Sequence, residues 1–552
     1  MSISRRSFAG GALSLAATSQ LAVPVLAEGS SRIGSAIAAI RAYGEEHRTY
    51  FNLPGMTLGL VTLNGERTIL NFGDANADSK TPIGPGTLFQ VGSISKLMVA
   101  AVLHQLVAEG RFKLTDPVSL ILPEAPLPAG NRIEVHHLLD HVAGLPSDTP
   151  MFAPGGLWAA YAPGVHWHYS NTGYEILGKL AEHVSGKPLR QLLAERIFSP
   201  LKMSRSRGAI LGADRLLYAQ GYEAADAFAA YARGVPLAPA PWVDVTVGAG
   251  CVASTADDMM SLLLSLANAV QGRGGLGLPP ERARIFATHA VPSDTAGMTY
   301  GNGLMHVGEA GRAYLHHTGG MISFSSSFHV DVASGVGAFA SSTISAFAEY
   351  RPRLLTRFAV DALTNALGGR PLPAAPSLQA PLANPASYVG RYSGPTGTFE
   401  VRLGTPLVIA ASGQSASLEP VADEVFRTTH PSFRAFSLMF ERSGGAVARA
   451  LFGPETYLRE AVGGTIPGSD PALAKLAGRY INDNPWFGPA QVVERGGKLW
   501  IGTETQMTPI GPNLWRVGKE SWSPERGAFA DPIDGRPQTF VFSGVRYSRH
   551  QV

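Results

Sequence analysis

The triplet Gly390-Arg391-Tyr392 recurs as Gly478-Arg479-Tyr480, about 88 residues further along the chain. The strings downstream run in step, and the two units close alike, on ALFGPETYLRE and FVFSGVRYSRH, with Tyr457 and Tyr547 in matching places. Two copies of one pattern imply two copies of one fold, because the same spacing of apolar residues buries the same faces. Within each copy, short strand-like runs are separated by Gly-rich turns. Each unit therefore reads as a small antiparallel barrel of roughly 85 residues, the first over 388–470 and the second over 471–552.

The chain has 552 residues, too many for one ordinary core, and its 45% hydrophobic and 16% charged content rules out global disorder. The segment GGRPLPAAPSLQAPLANPAS, residues 368–387, is rich in Pro, Ala and Gly without periodicity and reads as a linker. Before it, residues 28–367 mix strand and helix patterns with no regular βαβ alternation. TLGLVTL and RTILNFG read as strands joined at Asn64-Gly65, a strong hairpin signal. SKLMVAAVLHQLVAEG reads as a helix ended by Gly110, with Leu97, Ala100, Ala101, His104 and Val107 at helical spacing. The fold class expected is α+β: an antiparallel sheet packed with helices, followed by the two β units.

A formal net charge of +3, with no dense Lys/Arg block beyond the extreme N-terminus, gives little support to nucleic-acid binding. At that N-terminus, Arg5 and Arg6 precede an Ala-rich apolar run ending in Val25-Leu26-Ala27. This resembles a twin-arginine export signal over residues 1–27, cleaved near Ala27, and places the mature protein in the periplasm or outside the cell. The run is too short and too interrupted for a membrane anchor, and no other segment is long and apolar enough to span a bilayer. Cys251 is the only cysteine, so no intramolecular disulfide forms; in GAGCVAST it reads as small core filling.

The candidate nucleophile lies in LFQVGSISKLMVAAVLHQL. Ser93 and Lys96 are spaced i, i+3, so a helix opening at Ser93 puts both side chains on one face. Lysine activates serine only when its amine is neutral, which burial promotes. The spacing alone is weak, since Ser199 and Lys202 repeat it in FSPLKM, where Pro200 and turn residues deny it a helix. In HWHYSNTGYEILGKL, Tyr169 and Asn171 enter a second helix. A tyrosine there can relay a proton, and an asparagine amide can hold a substrate carbonyl.

Five blocks, TLFQVGSISKLMVAAVLHQLVAEGRFKLTDPVSLILPE, IEVHHLLDHVAGLP, HYSNTGYEILGKLAEHVSGKPLRQLLAERIFSPLKM, GAGCVASTADDMMSLL and HHTGGMISFSSSF, follow the order of the class C β-lactamase-related serine hydrolases. The chain resembles that family from about residue 45 to 350. The resemblance implies a β-lactamase/transpeptidase-like fold with an all-helical subdomain. It also implies that Ser93 attacks, Lys96 deprotonates it, Tyr169 relays the proton and Asn171 binds substrate. The family's third motif falls on His317-Thr318-Gly319, and the oxyanion would sit between the Ser93 and Gly320 N–H groups. His317 stands where the lactamases carry lysine, so a fixed cation facing a substrate carboxylate is missing, and β-lactamase activity becomes a secondary expectation. No cofactor is implied.

Three other readings compete. His137 and His141, at i and i+4, with His166, His168, His316 and His317, invite a metal site, but no His-Glu-x-x-His occurs and no metal is expected. No Gly-x-Ser-x-Gly elbow is present, which argues against an α/β-hydrolase. An inactive hydrolase domain presenting the β units for peptide or cell-wall binding is the non-catalytic alternative. Among enzymes, the linker and paired β units resemble the three-domain D-aminopeptidases. The expected substrates are therefore short peptides or amides, including ones with D- or unusual residues; esterase, DD-carboxypeptidase and weak lactamase activity are the alternatives. Oligomeric state is not legible.

Overall fold

The computed structural model describes residues 22–551. The Arg5-Arg6 motif lies outside the described residues, and residue 27 falls within a first helix, Ala22–Tyr50. Among the described residues no helix is long and apolar enough to cross a membrane.

The α+β expectation holds. One nine-stranded antiparallel sheet runs, from edge to edge, through Thr81–Pro82, Arg67–Asn76, Gly55–Val61, Gly337–Ser342, Ser325–Asp331, Arg312–Gly320, Leu304–Glu309, Met298–Gly301 and Val291–Pro292. The Asn64-Gly65 turn joins two of these strands, with Gly65 at φ 86°, a left-handed conformation that glycine adopts without a Cβ clash. One sheet face packs Leu58, Leu60, Ala338 and Ala340 under helices Ala22–Tyr50 and Arg353–Leu367. The other packs Val61, Phe328 and Phe339 against helix Ala256–Val270 and the helical subdomain. Both faces are covered, so the central strands are buried end to end.

The helix expected after Ser93 spans Ser95–Ala108, with Gly110 at φ 75° beyond its end. Its apolar spacing suggested one buried stripe, whereas every residue from Ser95 to Leu106 is buried. A helix without a wet face must satisfy each polar side chain internally. His104 therefore meets Asn302 at 3.0 Å, and Gln105 donates to Leu276 O at 2.8 Å. Lys96 is the remaining charged group on it.

The repeat is two closed eight-stranded antiparallel barrels, from Gly390–Gly394 to Glu455–Arg459 and from Gly478–Ile481 to Val545–Arg549. The recurring triplet now has a physical cause. Tyr392 and Tyr480 are fully buried and donate to the carbonyls of Tyr388 and Leu476, each at 2.7 Å. In both barrels the first strand closes on an arginine of the last, Tyr392 opposite Arg459 and Tyr480 opposite Arg549. A Cβ on Gly390 would lie 3.0 Å from Arg459 Nε, and one on Gly478 would lie 2.3 Å from Arg549 Nη1. Glycine thus leaves room for the closing arginine, and tyrosine anchors the strand to the chain four residues upstream.

Candidate active site

Ser93 does not open the helix, as the i, i+3 reading supposed, but stands two residues before it, in the 3-10 segment Gly92–Ile94. The reason is the approach of strand Arg312–Gly320. A Cβ on Gly92 (φ 55°) would lie 2.8 Å from Gly320 N, and one on Gly319 would lie 1.9 Å from Val91 O. Only paired glycines let the strand end press against the Ser93 turn, which sets the Gly320 backbone beside the serine.

Lys96 is fully buried, with Nζ 3.0 Å from Ser93 Oγ, 2.7 Å from Asn171 Oδ1 and 2.8 Å from Ala249 O. Burial lowers its pKa from 10.5 to about 7, against the opposing pull of Asp148 and Glu175. A neutral amine has two N–H bonds and one lone pair. Asn171 and Ala249 offer only acceptors and take the two hydrogens, leaving the lone pair facing the Ser93 hydroxyl. The decoy pair Ser199 and Lys202 lies in an exposed turn, with Lys202 at φ 58°.

Tyr169 precedes helix Asn171–Ser185, whose cap is Ser170, accepting from Gly173 N at 3.1 Å. Asn171 is thereby free of capping and bridges Lys96 to Asp148 Oδ1, to which its Nδ2 donates at 2.7 Å. Burial drives the Tyr169 phenol pKa up, and its interaction with the Ser93 hydroxyl opposes the rise. Tyr169 is thus a neutral phenol near neutral pH, with Lys96 Nζ 4.9 Å from its ring centroid.

His317 is buried, and its pKa falls to about 3, chiefly through desolvation and then through Lys96. Its Nδ1 lies 2.6 Å from Thr318 O, so that nitrogen carries the proton and Nε2 accepts from Tyr300 Oη at 3.2 Å. The sequence suggested a titratable group at this position; the fold makes it neutral throughout the physiological range. His316, one step along the strand, faces away and stacks on His329 at 4.0 Å.

His137 and His141 do not form a helical ligand pair. Helix Val135–Leu139 ends before His141, which sits at φ 60° with its ring 4.3 Å from that of Tyr169 and its Nδ1 accepting from Ser170 N at 3.1 Å. His137 accepts from Glu134 N in a helix cap. Cys251 is buried, and burial pushes its thiol up to about 12.

Sequence reasoning missed the acidic side of the site and the residues by which the second barrel reaches it. Asp148 hydrogen-bonds Asn171 and also Trp486, on the loop after the first strand of that barrel. Beside them opens a cavity of about 540 Å³ lined by Asp148, Asn171, Glu175, Gly250, Trp486 and Phe487. Burial, and then Asp148, raise Glu175 to about 7. No spacing rule links these residues.

Known proteins resemble this chain in sequence and in fold. Residues 36–360 match the family model described as beta-lactamase. A beta-lactamase of Pseudomonas fluorescens is 30% identical over 262 residues, 46% of this chain and 69% of that protein. A beta-lactamase of Escherichia coli (strain K12) is 31% identical over 180 residues, 31% of this chain and 48% of that protein, so the chain spans about half of the latter's length. The octameric penicillin-binding protein homologue from Pyrococcus abyssi superposes with a TM-score of 0.55 at 22% identity, covering 77% of this chain and 100% of that one, a likeness of fold.

Proposed function

The chain belongs to the beta-lactamase family of serine hydrolases, and on that premise we propose that it is an exported hydrolase cleaving amide bonds of short peptides or aminoacyl amides, D- and unusual residues included. The observation that carries the reading is the buried Lys96, whose Nζ lies 3.0 Å from Ser93 Oγ and whose pKa, lowered to about 7 by burial, gives the amine access to its neutral form.

The steps follow from that geometry. Lys96 takes the Ser93 proton as Oγ attacks the substrate carbonyl carbon, and negative charge develops on the carbonyl oxygen between the Ser93 and Gly320 N–H groups. The Tyr169 phenol gives its proton to the departing amine nitrogen and recovers one from Lys96, leaving an ester on Ser93. Water then attacks that ester with the same groups reversed. Asn171 orients the Lys96 amine by accepting one of its hydrogens.

Two features favour amine-bearing amides over lactams. His317 offers no cation to a substrate carboxylate. The cavity beside Asn171 is lined by Asp148 and Glu175, carboxyls whose pKa values burial raises and which a free ammonium of the substrate would draw back into the charged form. A fluorophosphonate probe should label Ser93; turnover that survives Ser93→Ala with no adduct there would remove the mechanism. Matched D- and L-aminoacyl amides, short peptides, p-nitrophenyl esters and nitrocefin should rank peptides or amides first, and esters leading would make it an esterase. Export belongs to the same proposal. N-terminal sequencing of protein from the periplasmic fraction should begin just after Ala27, and retained Arg5-Arg6 would count against it.

A further inference from the structure

The loop between the fifth and sixth strands of the second barrel, Leu514–Val517 and Arg526–Ile533, leaves its own barrel and lies on the catalytic segment 147–171. Glu525, on this loop, is largely buried. Its Oε1 accepts from Ser147 N at 2.7 Å and lies 3.0 Å from His168 Nε2, while Oε2 accepts from Ser543 Oγ. Ser147 in turn ties down the motif. Its carbonyl accepts from Asn171 N at 2.7 Å and Thr172 N at 3.2 Å, and its hydroxyl donates to Tyr169 O at 3.1 Å. His168 directly precedes Tyr169 and donates its backbone N–H to His141 O at 2.8 Å.

The contacts around Glu525 fix it as a unit. Trp522 stacks on His166 at 4.5 Å with the planes 7° apart, and Trp158 Nε1 donates to Pro524 O at 2.7 Å. Arg526 lies over the Trp158 ring at 4.8 Å. A carboxylate sunk into an interface without a Lys or Arg partner is costly unless several donors converge on it. Here they come from Ser147, His168 and Ser543, two of them on the catalytic domain.

We propose that Glu525 is a positioning residue for acyl transfer: through Ser147 and His168, the second barrel holds Tyr169 and Asn171 in register with Ser93 and Lys96. The inference rests on the serine-hydrolase reading above. It makes the second barrel a working part of the site, although no Glu525 atom reaches the reacting bond.

The rate of fluorophosphonate labelling at Ser93, followed against pH in the full chain, tests it without knowledge of the substrate. Glu525→Ala should slow labelling by about a hundredfold, the scale on which small misplacements of catalytic groups act. The acid limb of the profile should also move to higher pH, because a loosened Asn171 and Tyr169 admit water to Lys96 and ease its desolvation. Glu525→Gln keeps an acceptor for Ser147 N but loses the charge, and should recover only to about tenfold below the parent. Should the alanine variant fail to fold, the glutamine variant carries the test alone. Glu419→Ala removes an interdomain carboxylate of the first barrel and should leave rate and acid limb unchanged. Folded Glu525 variants with the parent's rate and acid limb would overturn the proposal, as would an equal loss in Glu419→Ala. A parent that does not label at Ser93 would instead defeat the hydrolase reading.

Discussion

The two barrels share eight strands, the same closure and the same buried tyrosine with its closing arginine, yet they spend their fifth-to-sixth loops differently. In the first barrel this loop tucks Phe433 into the barrel's own core, and His430 Nε2 lies 3.2 Å from Ala411 O. In the second it turns outward, placing Trp522 and Glu525 on the catalytic segment. The first barrel meets the catalytic domain away from the motif residues, through Arg434 of its own loop, whose carbonyl accepts from Ala230 N at 2.8 Å, and through Glu419 to Arg233 and Arg427 to Glu349, both at 2.7 Å. Neither Arg233 nor Glu349 hydrogen-bonds Ser93, Lys96, Tyr169 or Asn171 among the described residues. A duplicated frame can thus keep its closure while one loop is recruited to a site, because barrel stability resides in the ladder and core, not in the loop tips.

Lys96→Met sets the upper limit for any lesion acting through the second barrel, and should lower labelling by at least about a thousandfold, as loss of a general base does. It also carries a stability signature of known sign. A lysine at about 7 in the fold and 10.5 outside it costs folding on the order of 5 kcal/mol below pH 7. That cost fades as pH rises toward 10.5. Relative to the parent, the methionine variant should therefore be most stable near pH 6 and lose that advantage by pH 10, as denaturant midpoints at the two pH values would reveal. A pH-independent difference would mean that Lys96 is charged in the fold.

Trp486→Ala should act on selectivity more than on chemistry. It widens the cavity beside Asp148 and frees that carboxylate from one partner, so bulky acyl groups should gain about tenfold in kcat/KM over small ones. An unchanged ratio would confine the second barrel's role to the Glu525 loop. The smallest effects should come from a matched pair, Tyr392→Phe and Tyr480→Phe. Tyr392→Phe loses one hydrogen bond and Tyr480→Phe two, because Tyr480 Oη also accepts from Arg549 Nη2 at 2.7 Å; each bond lost costs about 1–2 kcal/mol of stability, with labelling within about twofold of the parent. A large activity loss in Tyr480→Phe alone would show that the barrel frame, and not only its loop, is coupled to catalysis.

Some of this was legible before any coordinates. Repetition of Gly-Arg-Tyr and the strand spacing fixed two barrels, since both signals are local and periodic. The i, i+3 spacing of Ser93 and Lys96 and the position of Tyr169 and Asn171 ahead of a helix likewise follow from short-range geometry. Gly92 and Gly319 lay in plain view, but the contacts that require them, Gly319 against Val91 O and Gly92 against Gly320 N, join the Ser93 turn to the strand end across the fold.

What the sequence by itself determined, then, is which residues can do chemistry and which elements carry them. Their protonation states and their support were decided only in three dimensions. Lys96 titrates near 7 and His317 is no cation because both are buried, and burial is a property of what packs around a residue from distant parts of the chain. Glu525 meets Ser147 across a separation of 378 residues. No periodicity spans such a distance, so only the packing of the second barrel against the catalytic domain could reveal that contact.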